Sequence, residues 1–454
     1  MMQTLLLKNA RVIATMDDDQ REIENGYILI RGNRIETVGP SEDCPNQADR
    51  TIDLSGHVVI PGLINTHHHM FQSLTRALPA AQNGELFDWL SALFPVWRNI
   101  TPDMQRAASR TAMAELMLSG CTTAADHAYL HVNGITLDDS VQAAAEMGIR
   151  FHAARGAMSL GQNQGGLPPD ALVEADEGAI LKDMQRVVEA HHDHRPDAMV
   201  RVALAPCSPF TVTTDLMREA ATMARSLKVG LHTHTAENGK DVAFSKERYG
   251  MTPTEFTEEL GWVGDDVWHA HCVHLDEPGI ALFARTGTGV AHCPCSNMRL
   301  ASGIAPVRRM LDAGVKVGLG VDGSASNDTG NLLDEARLAM LSARVREQKP
   351  GDMTAREALR MATRGGAEVL GRDDALGRIQ VGYCADIVAF RTDDIAMAGG
   401  QSDPLASLVF CAPPRANWSV INGRVVIEEG NLLTRSLPHI IEEQNRMAAR
   451  LMAG

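Results

Sequence analysis

Apolar runs and the polar residues between them divide the chain into three textures. Up to Ile60 the runs are short and β-like: Leu5-Leu6-Leu7, Val12-Ile13, Tyr27–Ile30, Ile35–Val38 and His57–Ile60. Gly26, Gly32-Asn33, Gly39-Pro40 and Ser55-Gly56 separate them, and these are residue types that turn strands around. The same texture returns at Ala385–Phe390 and Trp418–Val426. Strands at both ends around a different middle predict one small β-sandwich domain, built from 1–60 and 376–432.

The middle alternates apolar strands with helical periods. Strand ends fall near His69, Asp126, Arg155, Pro206, His234, His271, Cys293 and Asp322. Pro102–Ser119, Ile180–His191, Thr214–Leu227 and Asn331–Val345 carry the apolar spacing of helices. Eight strands mostly separated by helices predict an α/β fold, a (β/α)8 TIM barrel over 61–375. An open doubly wound sheet is the alternative, but no Gly-rich dinucleotide fingerprint follows any of these strands. At the C-terminus, Ile440, Ile441, Met447 and Leu451 give Pro438–Leu451 an apolar stripe. A helix is expected within 433–454, packed on its own chain or on a second copy in a homo-oligomer.

Charge narrows the function. The 454 residues carry a formal net charge of −15, which argues against a nucleic-acid partner because a phosphate backbone needs a basic face. No stretch approaches the ~20 apolar residues that span a membrane, and the N-terminal apolar run is too short for a secretion signal. A cytoplasmic protein with a small-molecule substrate is expected. Eight cysteines are scattered through the chain, and reduced thiols are the expectation in that compartment. Cys293 and Cys295 are spaced more closely than the usual zinc-binding pair, so they read as structural or pocket residues.

Histidines at strand ends carry the chemistry. In Pro61–His69, residues two apart share a face, so His67 and His69 project together and His68 points away. Val229–Glu237 again ends a strand in same-face histidines, His232 and His234, with Glu237 three residues on. Val267–His274 pairs His269 with His271, and Val315–Ser324 ends an apolar strand in Asp322. Alone, each has an ordinary reading: a surface cluster, a solvated loop glutamate, core histidines, a helix cap. Together they place ionisable groups on four strands at the rim where (β/α)8 barrels hold their sites. His67, His69, His234 and Asp322 make a donor set suited to zinc or iron(II), with room for water.

With these motifs in order, the chain resembles the amidohydrolase superfamily, in its nucleobase-deaminase and triazine-hydrolase branch. The carrying segments are 61–69, 232–237, 269–275, 292–297 and 320–328, with 377–390 as the return of the β domain. The resemblance implies metal ligation by His67, His69, His234 and Asp322, and proton handling by Glu237, His271 and Asp322. Two-metal relatives carry a lysine on strand four; Met199–Pro206 has none, so one divalent ion is implied, zinc before iron. Segments 93–103, 122–130 and 155–174 are similar to the 8-oxoguanine deaminases and their isoxanthopterin-deaminase neighbours. That implies hydrolysis of 8-oxoguanine to urate and ammonia, with isoxanthopterin, isocytosine, guanine or an aminotriazine as alternative substrates. A non-catalytic scaffold relative, the alternative of another class, would have lost ligands that are all present here. Substrate contacts are expected from Gln72, Trp97 and Arg155, although Trp97 also belongs to an apolar helical stripe with Trp89, Leu90, Leu93 and Phe94. His127 and His274 are expected near the rim; His152, His191, His192 and His194 read as structural or surface residues.

Overall fold

The computed structural model describes residues 3–454. Five strands come first: β1 (Thr4–Ala14), β2 (Glu22–Arg31), β3 (Arg34–Pro40), β4 (Arg50–Asp53) and β5 (His57–Pro61). Then follow β6 (Leu63–Asn65), β7 (Cys121–Ala128), β8 (Arg150–Ala157), β9 (Val200–Pro206), β10 (Gly230–Thr235), β11 (Val267–His271), β12 (Gly289–His292) and β13 (Lys316–Leu319). The last four are β14 (Ile387–Arg391), β15 (Trp418–Ile421), β16 (Arg424–Glu428) and β17 (Asn431–Leu432).

β6 to β13 close into a parallel barrel, with helices between most successive strands, and the other nine strands form a separate sheet. The two chain ends meet where β14 runs antiparallel to β5, from Ile387 opposite Pro61 to Arg391 opposite His57. Leu5, Leu7, Ile13, Ile28, Val59, Ile387 and Val420 pack into one core under that sheet, so the small domain draws on both termini. No helix among the described residues is long and apolar enough to cross a membrane.

Alternation along the barrel strands decides what faces inward. Ile64, Ala125, Ala154, Ala203, Ala205, Ala291 and the single large residue Trp268 fill the interior. Their neighbours Phe151, Ala153, Val202, Leu204, Leu231 and Val290 point out and pack beneath the helices. One helical turn comes close enough to require glycine: a Cβ on Gly366 would lie 2.8 Å from the Ile64 carbonyl oxygen.

Two strands stop earlier than the sequence pattern suggests. β6 ends at Asn65 rather than His69, and β13 at Leu319 rather than Asp322. Beyond those points the backbone bonds from rim to rim instead of along a ladder. Thr66 N–H donates to the Leu319 carbonyl at 2.9 Å, Asp322 N–H to His67 at 3.1 Å, and His127 N–H to His68 at 2.7 Å. The histidines therefore sit on a tied rim, not on free loops.

A second apolar cluster covers that rim. Phe71, Trp89, Leu93, Phe94, Trp97 and Met158 pack with Met447 and Leu451 of the C-terminal helix Leu437–Ala453. That helix lies against its own chain. Arg110 pairs with Glu443 at 2.8 Å, and Thr111 donates to Gln444. Ile440, Met447 and Leu451 are buried while Ile441 faces solvent, so the contact stripe is narrower than the sequence pattern.

Candidate metal centre and active site

Hydrogen bonding fixes the tautomers of four histidines. A carbonyl oxygen only accepts, so His69 Nδ1–H donates to His127 O at 2.8 Å, and His234 Nδ1–H donates to Cys207 O at 2.7 Å. His232 likewise donates from Nδ1 to Trp268 O at 2.9 Å, which leaves its Nε2 as an acceptor for His67 Nδ1–H at 2.8 Å. His67, His69 and His234, all neutral, are each left with a lone pair on Nε2. Those lone pairs converge: His69 and His234 Nε2 are 3.1 Å apart, and Asp322 Oδ1 lies 3.2 Å from His67 Nε2 and 3.5 Å from His69 Nε2. Burial keeps the rings uncharged, with His69 pushed down to about 3. Facing lone pairs beside a carboxylate repel one another unless a cation lies between them. The donor set therefore fits a divalent ion, with each imidazole oriented through its other nitrogen. His127 joins the cluster: its ring stacks on His234 at 4.9 Å and its Nδ1 has no partner. β9 contributes no lysine.

The groups around this centre are held under backbone strain. Ala236, His271, Cys272 and Asp322 all have positive φ, between 51° and 71°, a conformation that is uncommon in non-glycine residues and clusters at functional sites. At His271 the consequence is specific. Alternation puts its strand partner His269 outward, where it bonds Thr235 and the Trp262 carbonyl. The left-handed turn swings His271 to the other side, so the pair does not share a face as the spacing suggested.

His271 Nδ1 is held by Asn297 Oδ1 at 2.9 Å. Its Nε2 points between Glu237 Oε2, at 3.7 Å, and Asp322 Oδ2, at 3.9 Å. Burial opposes charge on His271, but those two carboxylates raise it above its ordinary range. Burial pushes Glu237 up to about 7, with Asp322 and Asp241 adding to the rise and His271 opposing it. Asp322 Oδ2 receives hydroxyls from Ser296 at 2.6 Å and Ser326 at 3.2 Å. Ser296 and Asn297 ride on the short helix Pro294–Arg299 that follows Cys293. That placement is what the Cys-Pro-Cys segment does, and all eight cysteines are unpaired.

A narrow cavity opens beside the donors, lined by Gln72, Trp89, Phe94, Tyr129, Cys207 and Glu237 among others. Gln72 reaches it. Its Nε2 donates to Tyr129 Oη at 3.2 Å, and its buried Oε1 has no partner.

Two expected substrate contacts are corrected. Trp97 lies behind the cavity, fully buried against Phe71, Trp89 and Phe94, with its Nε1 donating to Thr75. It is packing of the covering cluster, and Trp89, two helical turns earlier, takes the wall. Arg155 falls on the outward row of β8, opposite in parity to inward Ala154. There it forks onto Glu174 at 2.8 and 3.0 Å and bonds Asp183 at 2.8 Å. Arg155→Gln is accordingly expected to leave KM unchanged and to cost on the order of 2 kcal/mol of stability, because both carboxylates lose a buried partner. Thermal melts beside steady-state kinetics check this. His274 bonds the Ser302 carbonyl away from the cavity. Tyr129, Ser296 and Asn297 were not singled out from the sequence; the signal for Tyr129 was its two-residue spacing from His127.

Residues 58–426 match the family model described as amidohydrolase family. The chain is 42% identical over 435 residues to an 8-oxoguanine deaminase from Pseudomonas aeruginosa, covering 94% of this chain and 95% of that one. It is 38% identical to an isoxanthopterin deaminase from an unknown prokaryotic organism, over 86% and 85% of the two chains. An atrazine chlorohydrolase from Arthrobacter aurescens, crystallised with zinc, superposes with a TM-score of 0.93 at 37% identity, over 98% of this chain and 100% of that one.

Proposed function

The chain belongs to the amidohydrolase family, and we propose that it is a cytoplasmic, zinc-dependent deaminase that converts 8-oxoguanine and water to urate and ammonia. One observation carries the deamination reading: a buried carboxyl, Glu237, raised to about 7, shares a narrow cavity with the metal donors and His271. Ammonia leaves readily only from a protonated nitrogen, so deamination needs a proton carrier poised near neutral pH.

His67, His69, His234 and Asp322 would hold the ion. Bound there, a divalent cation supplies Lewis acidity and makes water nucleophilic near neutral pH. Asp322 and His271 flank the nucleophile, orient it and take up its proton. Glu237 enters protonated and gives its proton to a ring nitrogen, which makes the amino-bearing carbon electrophilic. Oxygen then adds at that carbon. A proton passes to the exocyclic nitrogen, the C–N bond breaks, ammonia departs and an oxo group remains. Gln72 Oε1 accepts from a ring N–H, and Tyr129, itself an acceptor for Gln72, has its hydroxyl proton free for a ring carbonyl. Trp89 and Phe94 provide flat walls for a planar base.

The substrate class is supported by the 8-oxoguanine deaminase relative, which is similar over nearly the whole chain. Ammonia release from 8-oxoguanine, guanine, isocytosine, isoxanthopterin and an aminotriazine tests it. The largest kcat/KM is expected for 8-oxoguanine, by at least about tenfold, or about 1.4 kcal/mol in transition-state binding. A larger value for isoxanthopterin or the triazine would reassign the substrate while leaving the reaction type in place.

A further inference from the structure

At the end of the barrel remote from the donors, near the starts of β9, β10 and β11, lies a second cavity of about 550 Å³. Arg201, Arg225 and Lys228 make its wall basic; His194 and His192, which burial pushes down to about 4, also line it. Asp265 and Asp266 are its acids, and Asp266 is already paired with Arg225 at 3.2 Å. His152 also lines the cavity; it is buried, and neither ring nitrogen has a hydrogen-bond partner.

Two arginines here break the pattern of the molecule. Arg110, Arg150 and Arg155, all buried, each pair with a carboxylate. Arg201, half-buried, has none within 4.0 Å; its Nη1 donates to the Gly371 carbonyl at 2.9 Å and its Nη2 to the Arg195 carbonyl at 3.3 Å, while its buried Nε is unpartnered. Arg372, just behind the wall formed by Leu370 and Gly371, is fully buried; its Nη2 donates to the Ala198 carbonyl, its Nε and Nη1 are unpartnered, and it too has no carboxylate. Burial, with Arg150 and Arg201 close by, pushes Arg372 down to about 9. A buried guanidinium without a counter-charge is costly, and a chain of net charge −15 has many carboxylates to offer. Asp265 and Asp266 line the cavity, yet neither forms an ion pair with Arg201 or Arg372.

We propose that this cavity is a binding site for a phosphate-class oxyanion, received by Arg201, His152 and Lys228. A tetrahedral oxyanion presents several acceptors at once, matching several donors that lack one. The source is either free phosphate or the phosphoryl group of a small ester, and both share this chemistry. The proposal stands independently of the deaminase reading.

Calorimetric titration of the zinc-loaded full chain, at constant ionic strength, with inorganic phosphate and with glycerol phosphate tests it. Saturable binding with Kd near about 1 mM is expected, weakened at least about tenfold by Arg201→Gln and by Lys228→Glu, with kcat/KM for the base unchanged. Either ranking of the two anions supports the site and names the source. Lys228 is exposed, so its variant decides the matter should Arg201→Gln fail to fold. Absence of saturation in the wild type overturns the proposal. So does binding that survives Lys228→Glu but vanishes in His234→Ala, which would put the anion at the metal donors.

Discussion

Glu237→Gln is expected to keep its metal and lose turnover by about 10²- to 10⁴-fold. Glutamine has the same shape and fills the same buried place, so the backbone bond from Glu237 N–H to Asp241 and the helix cap at Asn238 are undisturbed. The proton that an acid near 7 can deliver is what disappears. Metal analysis and steady-state kinetics on the same preparation separate the two properties. Turnover within threefold of wild type would remove Glu237 from the chemistry; lost metal would make it a ligand instead.

His234→Ala is expected to empty the centre. One of three converging lone pairs goes, while the carbonyl of Cys207 keeps the Thr233 hydroxyl and the backbone N–H of residue 234 as donors. Bound zinc should fall from about one per chain to below a tenth, with turnover reduced more than about a thousandfold, since the Lewis acid is what makes water reactive. The wild type should melt higher with added zinc and lower after chelation, because an ion that binds only the folded chain stabilises it by mass action. The variant should melt at the same temperature in both conditions. Full zinc occupancy in His234→Ala would show that the ion sits elsewhere.

Much of this architecture was legible in the sequence because its determinants are local. Alternating strand and helix periods gave the barrel, and β-like runs at both ends gave the second sheet. His67, His69, His234 and Asp322 could be grouped because a parallel barrel delivers its strand ends to one rim. The errors had a common origin, in orientation rather than in position. Arg155 ends the third strand, but inward Ala154 fixes the row, and an arginine one residue on must look out. His271 would look out by the same logic, and only its left-handed backbone, which no spacing reveals, brings it in. Trp97 and Trp89 lie on one helical stripe. Which ring reaches the cavity depends on how that helix lies over the rim, a tertiary matter.

The seam between β5 and β14 sets the order in which the molecule can be completed. Translation releases β1 to β5 first, and β5 can pair with β1, yet the partner for its other edge is made only after the entire barrel has emerged. Until then the nascent chain carries an open, strongly apolar strand edge of the kind that recruits other chains. Soluble yield should therefore depend on how fast the ribosome reaches residue 391, and messages truncated before β14 should give aggregates rather than a trimmed enzyme.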